Sequence, residues 1–440
     1  MSKFQSGKIF IGTSLLALAL GVFMGCLAAL QFVVPGFFEI LPFFKSRPLH
    51  VSLVISWIFM CAIGGVYYYL PRYHNLPLFS PKLVAVHYWI FVGTGLAILG
   101  SYVAGRFGGR EYWEFPPILA IPIIVSWVLF AVNYFKTVFR KKGKWPVYLW
   151  MWGTGIFFFL YTFLEANLWV FSYFGDNIVR EITIQWKAYG ALVGSWNMLV
   201  YGTAIFLMER ISGNPKVGTS KMAYALFFLG LVNLMFGWAH HTYLVPSAPW
   251  IRYFAYAVSM TELLILARII WNWKSTLDTA RKFKHLMSYQ FLLASEFWIF
   301  LNLVLALLIS VPALNLFTHG THITVAHSMG STIGINTMIL LGSVFFICRE
   351  STTKKLKLKG VKMGLWLTNG ALLTFWISLI LAGYTKARLS TGSDLSFQQI
   401  MHEVAPYLMV FTIAGIGLFL GIAMIVSSAL PKLFAKEGEE

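Results

Sequence analysis

Charged residues are scarce in this chain of 440 residues. Asp, Glu, Lys and Arg make up 11% of the sequence, whereas about 25% is usual in soluble proteins. Apolar residues make up 58%, and the mean hydropathy is +0.72. A soluble fold of this composition could not cover its surface with polar groups, so the sequence excludes a water-soluble enzyme. An intrinsically disordered chain is excluded as well, because such chains are poor in apolar residues.

Cysteine is scarce too. Cys26, Cys61 and Cys348 lie in or at the ends of apolar runs, and their spacing indicates no metal site. The C-x-x-C-H signature of covalently attached heme is missing from the sequence. Any c-type heme must therefore be carried by another chain.

Long apolar runs are what the sequence has in abundance. Because a spanning helix needs about 20 residues, twelve such helices with short loops account for the chain. The sequence predicts an all-α integral membrane bundle of about twelve transmembrane helices in a single domain, 1–440. The predicted spans lie near residues 9–33, 49–70, 83–104, 117–136, 147–172, 187–208, 222–245, 250–272, 287–311, 320–348, 363–385 and 399–429.

Basic residues are distributed unevenly between the loops, and the formal net charge is +18. If both termini are inside, the tails and inner loops hold 24 of the 34 Lys and Arg residues, and the outer loops hold nine. This bias predicts a multi-pass protein with both termini in the cytoplasm. Attraction to anionic membrane lipid accounts for the basic loops, and no nucleic-acid partner is indicated.

Histidines inside the membrane carry the functional signal, because polar groups there are costly unless they are paired or bind a ligand. His50 opens the second span from the outer side, His240 and His241 lie near the outer end of the seventh, and His327 lies near the outer end of the tenth. All four are predicted within about 15 Å of the outer surface. Imidazoles from separate helices at one depth indicate a shared site for heme iron, non-heme iron or copper.

The other histidines are assigned structural or solvated positions. His74 and His285 fall in inner loops and are predicted to be solvated, whereas His87 and His402 are predicted to be structural or interfacial.

Local spacing refines the arrangement of these side chains. His240 and His241 are neighbours, which a regular helix turns by about 100°, so the helix is predicted to loosen there. His327 and Met329 are two residues apart and face opposite sides of the helix. If the site holds two hemes, one of these side chains would face each heme. On the residues alone, Met329 is more often a packing residue than a ligand.

Five motifs in order resemble the large subunit of the heme-copper oxidase superfamily, and most of all its nitric oxide reductase branch. They are R-P-L-H (47–50), G-R-E-Y-W-E-F-P (109–116), W-A-H-H-T-Y (238–243), M-T-E-L (260–263) and T-H-G-T…A-H-S-M (318–329). The resemblance covers nearly the whole chain and implies the fold of subunit I of these oxidases.

The resemblance also implies the cofactors. His50 would bind a low-spin b heme and His327 a high-spin b heme, which faces a non-heme iron or copper ion where gas is reduced. His240 and His241 would be two ligands of that ion.

Two acids have implied roles as well. Glu111, with Glu114 beside it, would bind a calcium ion that bridges the heme propionates. Glu262 would be a buried acid that supplies protons or an oxygen ligand.

Two positions depart from the family pattern. The sixth span has Asn197 where a third metal-binding His is expected, and Tyr201 one turn later where an acid or a phenol is expected. An amide oxygen is a poorer ligand than imidazole, so the metal is expected to be weakly held, iron rather than copper, or absent. Met329 stands where a second heme-binding His is expected. Alignment therefore favours a low-spin heme ligated by His50 and Met329, with His322 or no protein group as the alternative sixth ligand.

Three functions remain open at this point. The first is a respiratory oxidoreductase of the bacterial inner membrane that reduces NO to N₂O, or a dismutase-like variant, with a small c-type cytochrome subunit. The second is an oxygen reductase that uses Tyr201. The third is a non-catalytic diheme protein that transfers electrons or binds gas. Glu165 and Glu296, which lie within spans, are expected to be neutral, paired or on a proton route.

Overall fold

The protein is a bundle of long helices. The computed structural model describes residues 5–34, 36–243, 245–246, 248–275, 284–350 and 358–435, with the side chains at 240–242, 259, 261–269, 272, 273 and 275 left aside. The long helices are α1 (Gln5–Val33), α2 (Phe43–Tyr73), α3 (Pro81–Val103), α4 (Ala120–Val138), α5 (Val147–Ala166), α6 (Ile178–Ser212), α7 (Lys221–Phe236), α8 (Pro249–Ser275), α9 (Leu286–Ser310), α10 (His322–Glu350), α11 (Lys359–Gly392) and α12 (Phe397–Leu433).

The predicted all-α membrane bundle is confirmed. Within the described ranges, eleven helices are long and apolar enough to cross a membrane, and α8 occupies the place of the remaining predicted span. Short helical turns fill the connections, at Pro117–Leu119, Leu168–Val170, Ser172–Gly175, Lys216–Thr219, Gly237–Thr242 and Pro312–Thr318. The chain is therefore a multi-pass membrane protein.

Local sequence signals set several helix ends. The Ser80 hydroxyl accepts a hydrogen bond from Leu83 N at the start of α3, and Asn177 caps α6 in the same way through Arg180 N. Gly213 ends α6 with a φ of 63°, a left-handed conformation that favours glycine. Ser396 and Gln399 form a capping box at the start of α12.

Three helices form the centre of the bundle. The most apolar stretch of α10 is 83% buried, that of α6 is 78% buried and that of α2 is 67% buried. The corresponding stretch of α3 is only 22% buried, and its Trp89 is 68% exposed toward the lipid side. The helices that carry His50, Asn197 and His327 are thus the ones most shielded from lipid.

The central helix α10 is not a regular α-helix. It is α-helical over His322–Met329, widens to a π-helix over Gly330–Thr337, and is α-helical again over Met338–Glu350. In the wide segment Thr337 Oγ1 donates 2.8 Å to the carbonyl oxygen of Thr332, five residues earlier. Segments of this kind are rare and are found mostly at functional sites.

The prediction that His74 and His285 are solvated is wrong. His285 is only 5% exposed, and its ring stacks on Phe346 with centroids 5.0 Å apart. His74 follows α2 and contacts the ring of Tyr148, and its Nε2 is buried. His285 is the N-cap residue of α9 and His74 is the C-cap residue of α2, and burial lowers the pKa of each to about 4. His87 is fully buried as predicted.

A close crossing of α1 and α2 gives a stability prediction. A Cβ on Gly64 would lie 2.7 Å from the carbonyl oxygen of Gly7, so we expect Gly64→Ala to force the helices apart at a cost of about 1–3 kcal/mol. Thermal unfolding in detergent would show a lower midpoint. Gly93→Ala is the control, because a Cβ there meets nothing within 4 Å. Equal midpoints for the two variants would contradict this account of the crossing.

The buried His285 gives a pH prediction. Its folded pKa of about 4 lies below the unfolded value of 6.5, chiefly because of burial. As the pH falls from 7 toward 4, the unfolded chain gains a proton that the folded chain does not, so stability should fall by about 1–3 kcal/mol across that window. We expect the midpoint to drop less between pH 7.5 and pH 5 in His285→Gln than in the parent, and identical drops would refute the assignment.

Candidate functional site

His50 sits in a space provided by two glycines of α1. Its Nδ1 lies 2.7 Å from the carbonyl oxygen of Gly21, and a Cβ on Gly25 would lie 2.7 Å from the same nitrogen. A proton on Nδ1 that is donated to this carbonyl leaves the lone pair on Nε2. Histidines that bind metals are commonly oriented by such a bond.

Arg47 lies one turn outward of His50 on the same face of α2. Its Nη2 donates to Glu111 Oε1 at 2.8 Å, and its Nη1 donates to Glu114 Oε1 at 2.7 Å. The second oxygen of Glu114 is buried and has no partner among the described residues. The outer loop is therefore tied to α2 directly above His50.

The outer loop folds tightly to present both acids to Arg47. The backbone N–H groups of Gly108 and Gly109 donate to the carbonyl oxygen of Glu114 at 3.1 and 3.2 Å. Any side chain on Gly109 would collide with the backbone of Trp113, so the position requires glycine. Tyr112 between the two acids has a φ of 70°, which is uncommon outside glycine.

A second ion pair fixes the loop to α6. Arg110 Nε donates to Glu181, and the Arg110 guanidinium lies 3.9 Å above the ring of Trp169. The loop thus bridges α2 and α6. With Arg47 between the carboxylates, part of their charge is already neutralised, so Glu111 as a calcium ligand stays a prediction.

His327 lies in the first turns of α10, just before the π-helix. Asn302 on α9 donates from Nδ2 to the carbonyl oxygen of His327 at 3.0 Å and to Ser331 Oγ at 2.8 Å. Trp376 on α11 donates to Asn302 Oδ1 at 3.3 Å. The Nδ1 of His327 is buried and finds no hydrogen-bond partner in the described part of the chain. An amide from α9 and an indole from α11 thus fix the backbone that carries this imidazole.

His50 and His327 lie at similar depths. The Nε1 of Trp57 on α2 donates to Thr337 Oγ1 on α10 at 3.0 Å. Trp57 follows His50 by seven residues and Thr337 follows His327 by ten, so each imidazole lies roughly 10–15 Å outward of this contact. The contact supports the predicted common level for these two histidines.

Met329 is half-buried and packs against the main apolar core. It lies two residues after His327 and therefore faces another side of α10. Its role as a ligand stays a prediction, as does the alternative role of His322, whose Nδ1 is buried without a partner among the described residues.

Asn197 makes a contact that the sequence did not predict. Asn336 of the π-helix donates from Nδ2 to Asn197 Oδ1 at 3.3 Å. The oxygen that would bind a metal is thus already a hydrogen-bond acceptor. Tyr201, one turn further in on α6, is half-buried against the core.

Three predicted site residues have side chains outside the described part: His240, His241 and Glu262. The backbone at His240 and His241 is a 3₁₀ helix over Gly237–Thr242, which follows α7 directly. The regular α-helix has thus ended before the two histidines, but it gives way to a tighter 3₁₀ turn and not to the loosened helix that was predicted. Within the described residues no three His, Cys, Asp or Glu side chains converge on a metal position, so these ligand roles stay predictions.

The two acids within spans are paired. Glu165 forms an ion pair with Lys187, and Glu296 Oε1 lies 2.7 Å from Lys274 Nζ. Both acids are mostly shielded from solvent, which agrees with the paired alternative. Each retains one buried oxygen without a partner among the described residues.

Sequence reasoning missed three residues that organise the site: Arg47, Asn302 and Asn336. Arg47 lies in the R-P-L-H motif (47–50), in which only His50 was assigned a role. Asn302 and Asn336 are both 1% exposed, and each is an amide inside an apolar run. A search of the spans for amides as well as for His and acids would have found them.

Comparisons with known proteins agree with this arrangement. The profile of the family described as Cytochrome C and Quinol oxidase polypeptide I matches residues 5–417. A nitric oxide reductase subunit of Stutzerimonas stutzeri is 23% identical over 97% of this chain and 95% of its own length. The Cbb3-type cytochrome c oxidase subunit CcoN1 of the same organism is 24% identical over 92% of this chain and 90% of its own length.

A solved structure of a heme-copper terminal oxidase dimer has the same fold. It superposes with a TM-score of 0.81 and 15% sequence identity, covering 99% of this chain and 85% of the other. The resemblance predicted from the motifs is thereby confirmed. The chain belongs to the cytochrome c and quinol oxidase polypeptide I family, the heme-copper oxidases, which are membrane oxidoreductases whose fold implies hemes and a metal site.

Proposed function

We propose that this chain is the catalytic subunit of a nitric oxide reductase-type enzyme. The reaction is 2 NO + 2 H⁺ + 2 e⁻ → N₂O + H₂O. A dismutase-like variant of the same site, in which NO is the electron donor as well as the electron acceptor, belongs to this proposal. The observation that carries it is the pair of partly buried imidazoles, His50 and His327, on two central helices at similar depths.

The residues present fit two b hemes. His50 has its Nδ1 bonded to Gly21 O at 2.7 Å and keeps Nε2 for a ligand. His327 has a buried Nδ1, and its backbone is fixed by Asn302. His50 with Met329 would hold the low-spin heme, and His327 would hold the high-spin heme.

When bound, the hemes and a non-heme metal would supply the electrons and the Lewis acid for joining two NO molecules. Arg47 would hold negatively charged propionate groups above His50, because its guanidinium already binds carboxylates there. Glu262 would hold a proton for the reaction. The central helices are largely buried, and the lower dielectric there strengthens these charge interactions.

NO rather than O₂ is favoured by the residues on α6. An oxygen reductase that uses the Tyr201 phenol would have an imidazole at the position of Asn197, whereas this chain has an amide. Similarity to the nitric oxide reductase protein of Stutzerimonas stutzeri, over 95% of that protein, supports the same choice.

A second candidate is favoured by one contact. Asn336 donates to Asn197 Oδ1, and an amide oxygen that is already engaged is a poor metal ligand. A chain that keeps both hemes but lacks the second metal would transfer electrons or bind gas without reducing it.

The partners follow from the same proposal. A small c-type cytochrome subunit would deliver electrons at the outer face, since this sequence has no C-x-x-C-H motif. The basic inner loops would contact anionic lipid of a bacterial inner membrane, with both termini in the cytoplasm.

The metal content tests the proposal. We expect purified protein to contain two b hemes and one further iron per chain, and to form N₂O from NO with a reduced c-type cytochrome. Heme quantitation, elemental analysis and gas chromatography give the three readouts. Copper with O₂ consumption would indicate an oxygen reductase instead. Two hemes with neither metal nor N₂O would indicate the diheme protein.

The space around His50 gives a second test. A Cβ in Gly25→Ala would lie 2.7 Å from His50 Nδ1, so the ring must leave its position and its bond to Gly21. We expect this variant to lose most of its low-spin heme signal in the optical spectrum and to keep the high-spin signal. The control is Gly100→Ala on α3, where a Cβ meets nothing within 4 Å. An unchanged low-spin signal in Gly25→Ala would rule out His50 as its ligand.

A further inference from the structure

A line of polar residues follows α10 from the candidate site to the inner side of the membrane. Asn336, Ser343 and Glu350 are seven residues apart and share one face of the helix; we call them the polar stripe. Each step is roughly 10 Å along the axis. Asn336 and Ser343 are both 1% exposed, in the most deeply buried span of the bundle.

At its outer end the stripe reaches the candidate site. Asn336 donates to Asn197 of α6 at 3.3 Å, and the neighbouring Thr337 accepts from Trp57 of α2 at 3.0 Å. The Asn336 Oδ1 is buried without a partner among the residues that the structure describes. An acceptor left free in hydrocarbon is costly, and here it lies beside Asn197.

In the middle of the stripe two hydroxyls meet. Tyr69 OH of α2 and Ser343 Oγ lie 2.5 Å apart, and both are buried. The residue one turn outward on α2 is Gly65, whose Cβ position lies 3.7 Å from Ser343 Oγ. The same Cβ position lies 3.2 Å from the Tyr69 ring, so the lack of a side chain on Gly65 lets that ring reach Ser343.

At the inner end the stripe meets titratable groups. The Glu350 carboxylate is 23% exposed, and its Oε1 lies 3.9 Å from His285 Nε2. Arg72 of α2 donates to the Glu350 carbonyl oxygen at 3.0 Å. An acid that is partly open to the cytoplasm thus stands next to a buried imidazole.

A second acid lies beside this inner end. Tyr148 OH donates to Glu209 Oε1 at 3.1 Å, and Arg210 Nη2 lies 3.7 Å from the same oxygen. The ring of His74 lies 5.6 Å from that of Tyr148. Acids, phenols and imidazoles therefore lie close together where α2, α6 and α10 end and where α9 begins.

Polar contacts between membrane helices commonly serve only to hold the helices together. That role accounts for the Ser343–Tyr69 bond taken alone. It leaves the free oxygen of Asn336 and the grouping of titratable side chains at one end without a reason.

We propose that the polar stripe is the route by which protons reach the candidate site from the inner side of the membrane. Protons are taken up at Glu350 and pass the Ser343 hydroxyl to reach Asn336. The inference rests on the proposed function only in assuming that reduced hemes at the site draw protons.

Each step moves a proton without other chemistry. The paired hydroxyls of Tyr69 and Ser343 can each accept a proton on one side and donate one on the other. The Asn336 amide does not titrate, and its free Oδ1 orients a water molecule instead. Water bridges the steps of roughly 10 Å. Two protons are delivered for the two electrons consumed per N₂O.

The test uses the full-length protein with its cofactors in lipid vesicles that enclose the pH dye pyranine. A reduced soluble c-type cytochrome stays outside the vesicles and reaches only molecules whose outer face points outward. In those molecules the stripe opens to the lumen. We expect the lumen to become alkaline when the hemes are reduced without gas, and again during turnover with NO.

Two variants remove one hydroxyl each, Ser343→Ala and Tyr69→Phe. We expect both to slow lumen alkalinisation and N₂O formation on the order of 100-fold, as the loss of a proton-transfer group does. Heme content and the rate of heme reduction should stay unchanged.

Matched controls lie elsewhere in the bundle. Ser378→Ala removes a buried hydroxyl that donates to Phe375 O in its own helix at 2.8 Å. Tyr134→Phe removes a buried phenol that donates to Leu149 O at 2.5 Å. Both should keep the parent rates.

The outcomes separate the route from the proposed function. Alkalinisation of the outer medium instead of the lumen, or parent rates in both stripe variants, would overturn the route and leave the function standing. A protein that binds hemes but forms no N₂O would overturn the function, while uptake on heme reduction still decides the route. A protein without heme would overturn both.

Discussion

A nitrogen or oxygen atom in the hydrocarbon core of a membrane must find a partner, and the centre of this protein is arranged by the partners it finds. His50 Nδ1 donates to the carbonyl oxygen of Gly21 and so connects α2 to α1. The Asn302 amide donates to the carbonyl oxygen of His327 and connects α9 to α10. The first bond sets the direction of the His50 imidazole, and the second fixes the backbone that carries the His327 imidazole. The placement of the two candidate heme ligands thus depends on hydrogen bonds between helices.

Most of the fold could be predicted from the sequence, because apolar runs and loop charges report directly on helices that cross a membrane. The histidines at the inner helix ends could not. A hydropathy profile treats residues between spans as solvated, yet His285 lies under Phe346 and is 5% exposed. The amides were missed for a different reason. Asn302 and Asn336 carry no charge, so they hardly disturb the apolar runs in which they lie, and only their partners on other helices reveal what they do.

The amide of Asn197, at a position where the resemblance predicts an imidazole, limits what this position can bind. An amide oxygen accepts up to two hydrogen bonds, and one of these comes from Asn336 of the π-helix. The other direction is the one left for a metal or a water molecule. The widened turn between Gly330 and Thr337 is what brings Asn336 to this position. The π-helix and Asn197 therefore form one arrangement, in which the position predicted to bind a metal is a contact between α6 and α10.

The two ends of the bundle differ in how their polar side chains are paired, and this difference bears on where protons move. At the outer end Arg47 and Arg110 bind Glu111, Glu114 and Glu181 in ion pairs that hold the loop rigid. At the inner end Nε2 of His74 and Nδ1 of His285 are buried without partners among the described residues. Buried polar atoms without partners are costly and are usually kept only where function uses them. The ion pairs at the outer end hold the loop in one fixed position, whereas spare donors and acceptors at the inner end suit the passage of protons, which needs sites that can be occupied and vacated in turn.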